Sequence, residues 1–167
     1  FLSGRFPSMR KDMSTERPHG RNLRAVRVSL PGNAYHVIFR TFRGRPFFRD
    51  LRMGRIVIDG LRWQDEARRT STLAFVVMPD HVHWLLVLGA CVTLPGVMSA
   101  VKGSTAWRIN SARGANGERV WQAGYFDHAM RRDEEVRTIA RYIVANPLRA
   151  GLVSKVGDYA LWDACWL

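Results

Sequence analysis

The chain has 167 residues, of which 47% are apolar and 24% charged, the size and mixture of one soluble domain that buries its own core. Its longest apolar runs, 73–78 and 84–92, fall far short of the roughly 18 residues that a membrane-spanning helix needs, which excludes such a helix. The 26 Lys and Arg against 14 Asp and Glu, net +12, point to a polyanionic partner, nucleic acid above all.

Of the basic residues 23 are Arg and 3 are Lys, and the guanidinium fork suits bidentate contacts to phosphate and guanine. A basic surface with no partner is the plainer alternative. The N-terminal FLSGRFPSMRKDM has no apolar stretch of the kind a secretory signal carries. Cys91 and Cys165 make no disulfide framework, so a cytoplasmic, nucleoid-associated location is expected.

Residues 1–30 are expected to form a flexible basic arm, and residues 31–167 the folded domain. The arm carries seven bases, Arg5, Arg10, Lys11, Arg17, Arg21, Arg24 and Arg27, against Asp12 and Glu16, with few periodic apolar positions. Ala34–Phe42 (AYHVIFRTF) is β-branched and aromatic and reads as a strand. Residues 48–69 place Leu51, Ile56, Val57, Leu61 and Trp63 at helical spacing, interrupted by Gly54 and Gly60. Thr72–Met78 and His81–Leu88 are strands joined by Pro79-Asp80, a hairpin.

Residues 94–110 read as a helix on Leu94, Val97, Met98, Val101 and Thr105. The Gly-rich 111–118 is a loop, and 119–122 and 125–131 are short strand-like pieces. Asp133 reads as an N-cap with Glu134 and Glu135 in the first turn. That helix should run to about Ala145, because Pro147 disfavours α geometry at Asn146. The order β-α-β-β-α-β-α fits an α+β domain with a ferredoxin-like antiparallel sheet and helices on one face.

His81 and His83 are the strongest local signal. In a strand, residues i and i+2 share a face, so the two imidazoles project side by side, where they can share a divalent metal. The alternative is a pair of histidines on a partly exposed strand. Two imidazoles do not complete a zinc site, whereas an open site with oxygen ligands suits Mg²⁺ or Mn²⁺ bound with a phosphate.

On the last helix Val136, Ile139, Ala140 and Ile143 form an apolar stripe. Tyr142 flanks that stripe and Asn146 follows one turn later on the same side. They can present a hydroxyl and an amide oxygen to one point, or serve as a boundary tyrosine and a cap before Pro147. A phenol near a metal in a basic protein has a chemical use. Attack on a phosphodiester leaves the phosphate on the enzyme and conserves the bond energy for rejoining. Tyr125, before Phe126-Asp127-His128, is the rival nucleophile.

The segment MPDHVHWLL (Met78–Leu86) resembles the His-hydrophobic-His motif of single-tyrosine HUH transposases. VWQAGYFDHAMRRDEE and RYIVANPLRAGLV (within Val120–Val153) resemble the REP-associated tyrosine transposases, and AYHVIFRT resembles their first strand. The resemblance covers roughly residues 33–153, within the 31–167 domain, and implies an HUH-endonuclease fold. It implies that His81 and His83 bind the metal, Mg²⁺ or Mn²⁺, with Asn146 as a third ligand, and that Tyr142 is the nucleophile. It further implies cleavage and strand transfer of single-stranded DNA beside hairpins of repeated extragenic palindromes, through a 5′-phosphotyrosine and a free 3′-OH. Asp127 and His128 resemble a family motif without an assigned role, and 158–167 resembles the family C-terminus only loosely.

Expected DNA contacts are Arg21, Arg24 and Arg27 in the arm, Lys102 and Arg108 on the second helix, and Arg131 and Arg132 beside the site; Trp107 or Trp121 can offer a stacking surface, although aromatics at these spacings are more often core residues. Such binding weakens steeply with salt. Two other readings stand beside the transposase. A non-catalytic hairpin binder or repressor on the same fold would bind without cutting. A metal hydrolase with a water nucleophile would cut without Tyr142. Monomer and homodimer both fit the sequence.

Overall fold

The computed structural model describes residues 29–130 and 133–166. The expected arm contacts Arg21, Arg24 and Arg27, and also Arg131 and Arg132, lie outside the described residues.

The hairpin is the centre of the sheet. β2 (Thr70–Met78) and β3 (His81–Leu88) pair antiparallel with Met78 opposite His81 and Val76 opposite His83. β1 (Ala34–Arg40) lies on the other side of β3, with Ile38 opposite His83. β4 (Phe126–Ala129) extends the sheet beyond β1, and β5 (Trp162–Ala164) beyond β2. The five-stranded order is β4-β1-β3-β2-β5, antiparallel throughout. The α+β class is as expected. β5 had no counterpart in the sequence reading, and of the two strand-like pieces only β4 forms a strand. The other contributes one bridge, Trp121 to Thr41.

Among the described residues three helices of more than one turn cover the sheet: α1 (Leu51–Glu66), α2 (Leu94–Ala112) and α3 (Asp133–Val144). The first two begin at side-chain caps, where Asp50 accepts from the Arg52 backbone N–H at 2.8 Å and Thr93 from that of Gly96 at 3.2 Å. The residues before Asp50 form a separate 3₁₀ turn, Phe47–Arg49. A short α4 (Asn146–Arg149) follows α3 directly, since proline is tolerated in the first turn of a helix.

Helices were expected on one face, and the structure places them on both. One core joins Tyr35, Val37 and Phe39 of β1 and Val82, Trp84 and Leu86 of β3 to Val57 and Leu61 of α1 and to Val97 and Val101 of α2. The opposite core joins Ala74, Val76 and Met78 of β2 and Leu85 of β3 to Ala140, Ile143 and Val144 of α3. The reason is compositional. β2 and β3 are apolar on both faces, so each face needs a cover, and the stripe on α3 supplies the second. Trp121 is buried at 6% exposure against Phe39 and Phe48, and its indole N–H donates to Thr105 Oγ1 at 3.0 Å. It is a core residue, the commoner of the two expected outcomes, and offers no stacking surface, whereas Trp107 is exposed.

Candidate active site

The alternation of β3 sends Val82 and Trp84 into the α1/α2 core, and His81 and His83 to the face that α3 covers. Antiparallel pairing brings two more histidines to that face. His36 of β1 lies opposite Leu85 on one side and opposite His128 of β4 on the other. His36 and His83 stack with centroids 5.3 Å apart and planes at 16°, and His81 meets His83 edge-on at 5.0 Å.

The two central rings are nearly enclosed, His36 at 6% and His83 at 5% exposure. Burial is the main reason that the His83 pKa falls from 6.5 to about 3, with the charges of His81, His36 and Arg40 adding to it. Burial likewise lowers His36 to about 4, with His128 adding. Both are therefore neutral imidazoles at physiological pH, the form that ligates a metal.

Their hydrogen bonds divide the ring nitrogens. His81 Nδ1 lies 2.6 Å from Asp80 Oδ1. His83 Nδ1 lies 3.1 Å from His36 Nε2. In both rings of the pair it is Nδ1 that is engaged, and neither Nε2 has a partner among the described residues. These two Nε2 atoms are the donor set that a metal would find. Among the described residues no group of three or more His, Cys, Asp or Glu is disposed to hold a metal. Two imidazoles therefore need oxygen donors to complete a shell, which fits Mg²⁺ or Mn²⁺ shared with a phosphate better than structural zinc.

Tyr142 on α3 faces this pair. Its ring lies 6.0 Å from that of His83, edge-on at 77°, and its side is 38% exposed. The Arg149 guanidinium lies over the same ring at 4.9 Å, which sets a cation beside the phenol. Asn146 donates from Nδ2 to the carbonyls of Tyr142 at 2.9 Å and Ile143 at 3.3 Å. It caps the end of α3, and its Oδ1 is the end left to act as a donor atom to a metal. Tyr125 packs against the core on the other face of the sheet.

Two of the expected DNA contacts are engaged elsewhere. Lys102 Nζ donates to the carbonyls of Gln122 at 2.6 Å and Gly124 at 2.7 Å, tying α2 to the segment before β4. Arg108 pairs with Asp59 of α1 at 2.8 Å. Sequence reasoning missed His36, Arg40 and Arg149. Arg149 lies on α4, beyond the expected end of the helix at about Ala145, and reaches Tyr142 because α4 follows α3 directly. His36 enters through the register of β1 against β3, which one strand's sequence does not contain.

The chain belongs to the IS200-like transposase family, whose profile matches residues 30–146. Within it, the likeness to the REP-associated tyrosine transposases also holds. A protein of that description from Escherichia coli K12 is 30% identical over 89 residues, 52% of this chain and 49% of that protein. The chain thus matches about half the length of that curated relative. The structure of a REP-associated tyrosine transposase bound to a REP hairpin superposes with a TM-score of 0.64 at 23% identity, over 81% of this chain and 79% of that one, a likeness of fold. A provisionally assigned transposase of Deinococcus radiodurans R1 gives a TM-score of 0.51 at 26% identity, over 70% and 92% of the two chains. No helix among the described residues is long and apolar enough to cross a membrane.

Proposed function

We propose that this protein cuts and rejoins single-stranded DNA beside hairpins of the repeated extragenic palindrome type, with Tyr142 as nucleophile. The observation that carries the reading is the 6.0 Å approach of the Tyr142 ring to His83, beside a histidine pair whose Nε2 atoms are both uncommitted among the described residues. The hairpin-bound structural relative and the K12 relative support the substrate class.

His81 and His83, with Asn146 Oδ1, would hold Mg²⁺ or Mn²⁺. When bound there, the metal supplies a positive charge that stabilises the scissile phosphate in the transition state. Tyr142 Oη attacks phosphorus, its proton passing to solvent, and the bond to the 3′ oxygen breaks. That oxygen takes up a proton and leaves as a 3′-OH, and the phosphate remains on the tyrosine. Attack by a 3′-OH on this 5′-phosphotyrosine reverses the exchange and joins strands. Arg149 and Arg40, set around the tyrosine and the histidines, hold backbone phosphates in this reading; Lys102 and Arg108 have structural duties instead. The basic arm, with Arg21, Arg24 and Arg27, and the pair Arg131 and Arg132 add sequence-independent attraction.

The test is a denaturing gel of labelled single-stranded hairpin DNA with Mn²⁺, comparing wild type with Tyr142→Phe. A slow, protease-sensitive adduct is expected in wild type alone. An adduct in both proteins would move the nucleophile to another residue, Tyr125 first. Cleavage without any adduct would indicate a water nucleophile, and hairpin binding without cleavage at any metal concentration a non-catalytic binder.

A further inference from the structure

His36 is a buried, neutral, hydrogen-bonding group that the chemistry above does not use. Its only hydrogen bond among the described residues is the 3.1 Å contact from Nε2 to His83 Nδ1. One proton occupies that contact, and there are two ways to place it. If His36 Nε2 carries the proton, His83 accepts on Nδ1 and, being neutral, bears its own hydrogen on Nε2. That tautomer cannot ligate through Nε2. If His83 Nδ1 carries the proton, His36 accepts, and the His83 Nε2 lone pair points outward unprotonated.

The neighbouring ring removes the ambiguity for its own half of the pair. Asp80 Oδ1, 2.6 Å from His81 Nδ1, is a carboxylate that only accepts, so Nδ1 of His81 carries hydrogen and, in the neutral ring, Nε2 is the lone-pair nitrogen. A pair that acts through two Nε2 atoms needs the same tautomer at His83, and His36 is the acceptor placed to give it. We propose that His36 is a positioning residue. It accepts from His83 Nδ1 and thereby fixes both the tautomer and the ring plane in which His83 offers Nε2, as Asp80 does for His81. Outer partners of this kind orient ligating histidines. An imidazole acceptor in place of the usual carboxylate or carbonyl adds no charge to an enclosed site, where an unpaired carboxylate is costly. The stacked geometry, 5.3 Å between centroids at 16°, holds the two rings in one orientation.

This inference rests on the proposed metal role of His81 and His83, and its test separates the two. Long-range proton–nitrogen NMR of the metal-free wild type at neutral pH reads the tautomer directly. The expected result is a protonated Nδ1 and a lone-pair Nε2 on His83; a protonated Nε2 on His83 would overturn the proposal. Mn²⁺ binding by titration calorimetry then compares His36→Gln, which keeps an acceptor oxygen, with His36→Phe, which keeps a stacked ring without one. His36→Phe should weaken Mn²⁺ about 10- to 100-fold and His36→Gln much less. Equal affinities for wild type and His36→Phe would also overturn it. If His36→Phe fails to fold, the nitrogen shifts of wild type decide alone. Mn²⁺ affinity unchanged in His81→Ala/His83→Ala would instead remove the metal reading, leaving the tautomer result to stand or fall by itself.

Discussion

Acid should unfold this protein through two rings. The native pKa values of His83, about 3, and His36, about 4, lie below the ordinary 6.5 that the unfolded chain takes. Below 6.5 the unfolded state therefore binds protons that the native state refuses, so stability falls with pH. The loss runs from about 6.5 down to about 4 for one ring and about 3 for the other, at up to about 1.4 kcal/mol per pH unit each. Between about pH 7 and about pH 4.5 the two together cost roughly 5 kcal/mol as an upper figure, comparable with the whole stability of a small domain. Urea unfolding followed by tryptophan fluorescence across that range measures it. Carboxylates add their own acid dependence, so the informative comparison is wild type against His36→Gln, in which one ring is gone and the histidine contribution is roughly halved. Identical acid dependence in the two proteins would refute the reasoning.

Further outcomes can be checked in the same assays. Saturating Mn²⁺ at about 100 times its dissociation constant should add about 2.7 kcal/mol to stability, seen as a higher melting temperature that His81→Ala/His83→Ala abolishes. Gln64 is fully buried on α1, and neither end of its amide has a hydrogen-bond partner among the described residues. Gln64→Met should raise stability by roughly 1–2 kcal/mol by urea midpoint, because it removes an unpaired polar group at similar volume. At Gly60 a Cβ would lie 2.6 Å from Thr105 Cγ2, where α1 meets α2. Thr105 is held by its hydroxyl bond to the Val101 carbonyl and by the Trp121 indole, so it yields poorly. Gly60→Val should therefore cost about 1–3 kcal/mol, and a neutral result would mean that the helices separate easily.

Much of this architecture was legible in local pattern. β3 has the bounds its sequence suggests, His81–Leu88, and the alternation that puts both histidines on one face needs nothing beyond the period of a strand. What escaped was set by partners distant in sequence. β5 is three residues long and exists because the edge of β2 accepts it. The core reading of Trp121 holds, but its partners, Phe39 and Phe48, are distant in sequence. Lys102 was a plausible phosphate contact by composition, yet two backbone carbonyls from another segment claim its ammonium. His36 sits in the sequence as one more residue of an apolar strand, and gains a role only when β1 is zipped to β3.

The two-sided character of β3 has a consequence for how such a chain can drift in evolution. Val82, Trp84, Leu86 and Leu88 belong to one core, and His81, His83 and Leu85 to the opposite face, so the strand has a parity as well as a length. Deleting one residue between His81 and Leu88 would exchange the two sets downstream of the gap. An imidazole would be driven in among Phe39 and Val57, and an indole would be turned toward Tyr142. Substitution along β3 is graded in its effects, whereas a single-codon gap inverts it. Length variation among relatives should therefore gather in connections such as 111–118, and β3 should keep its count even where its apolar residues interchange.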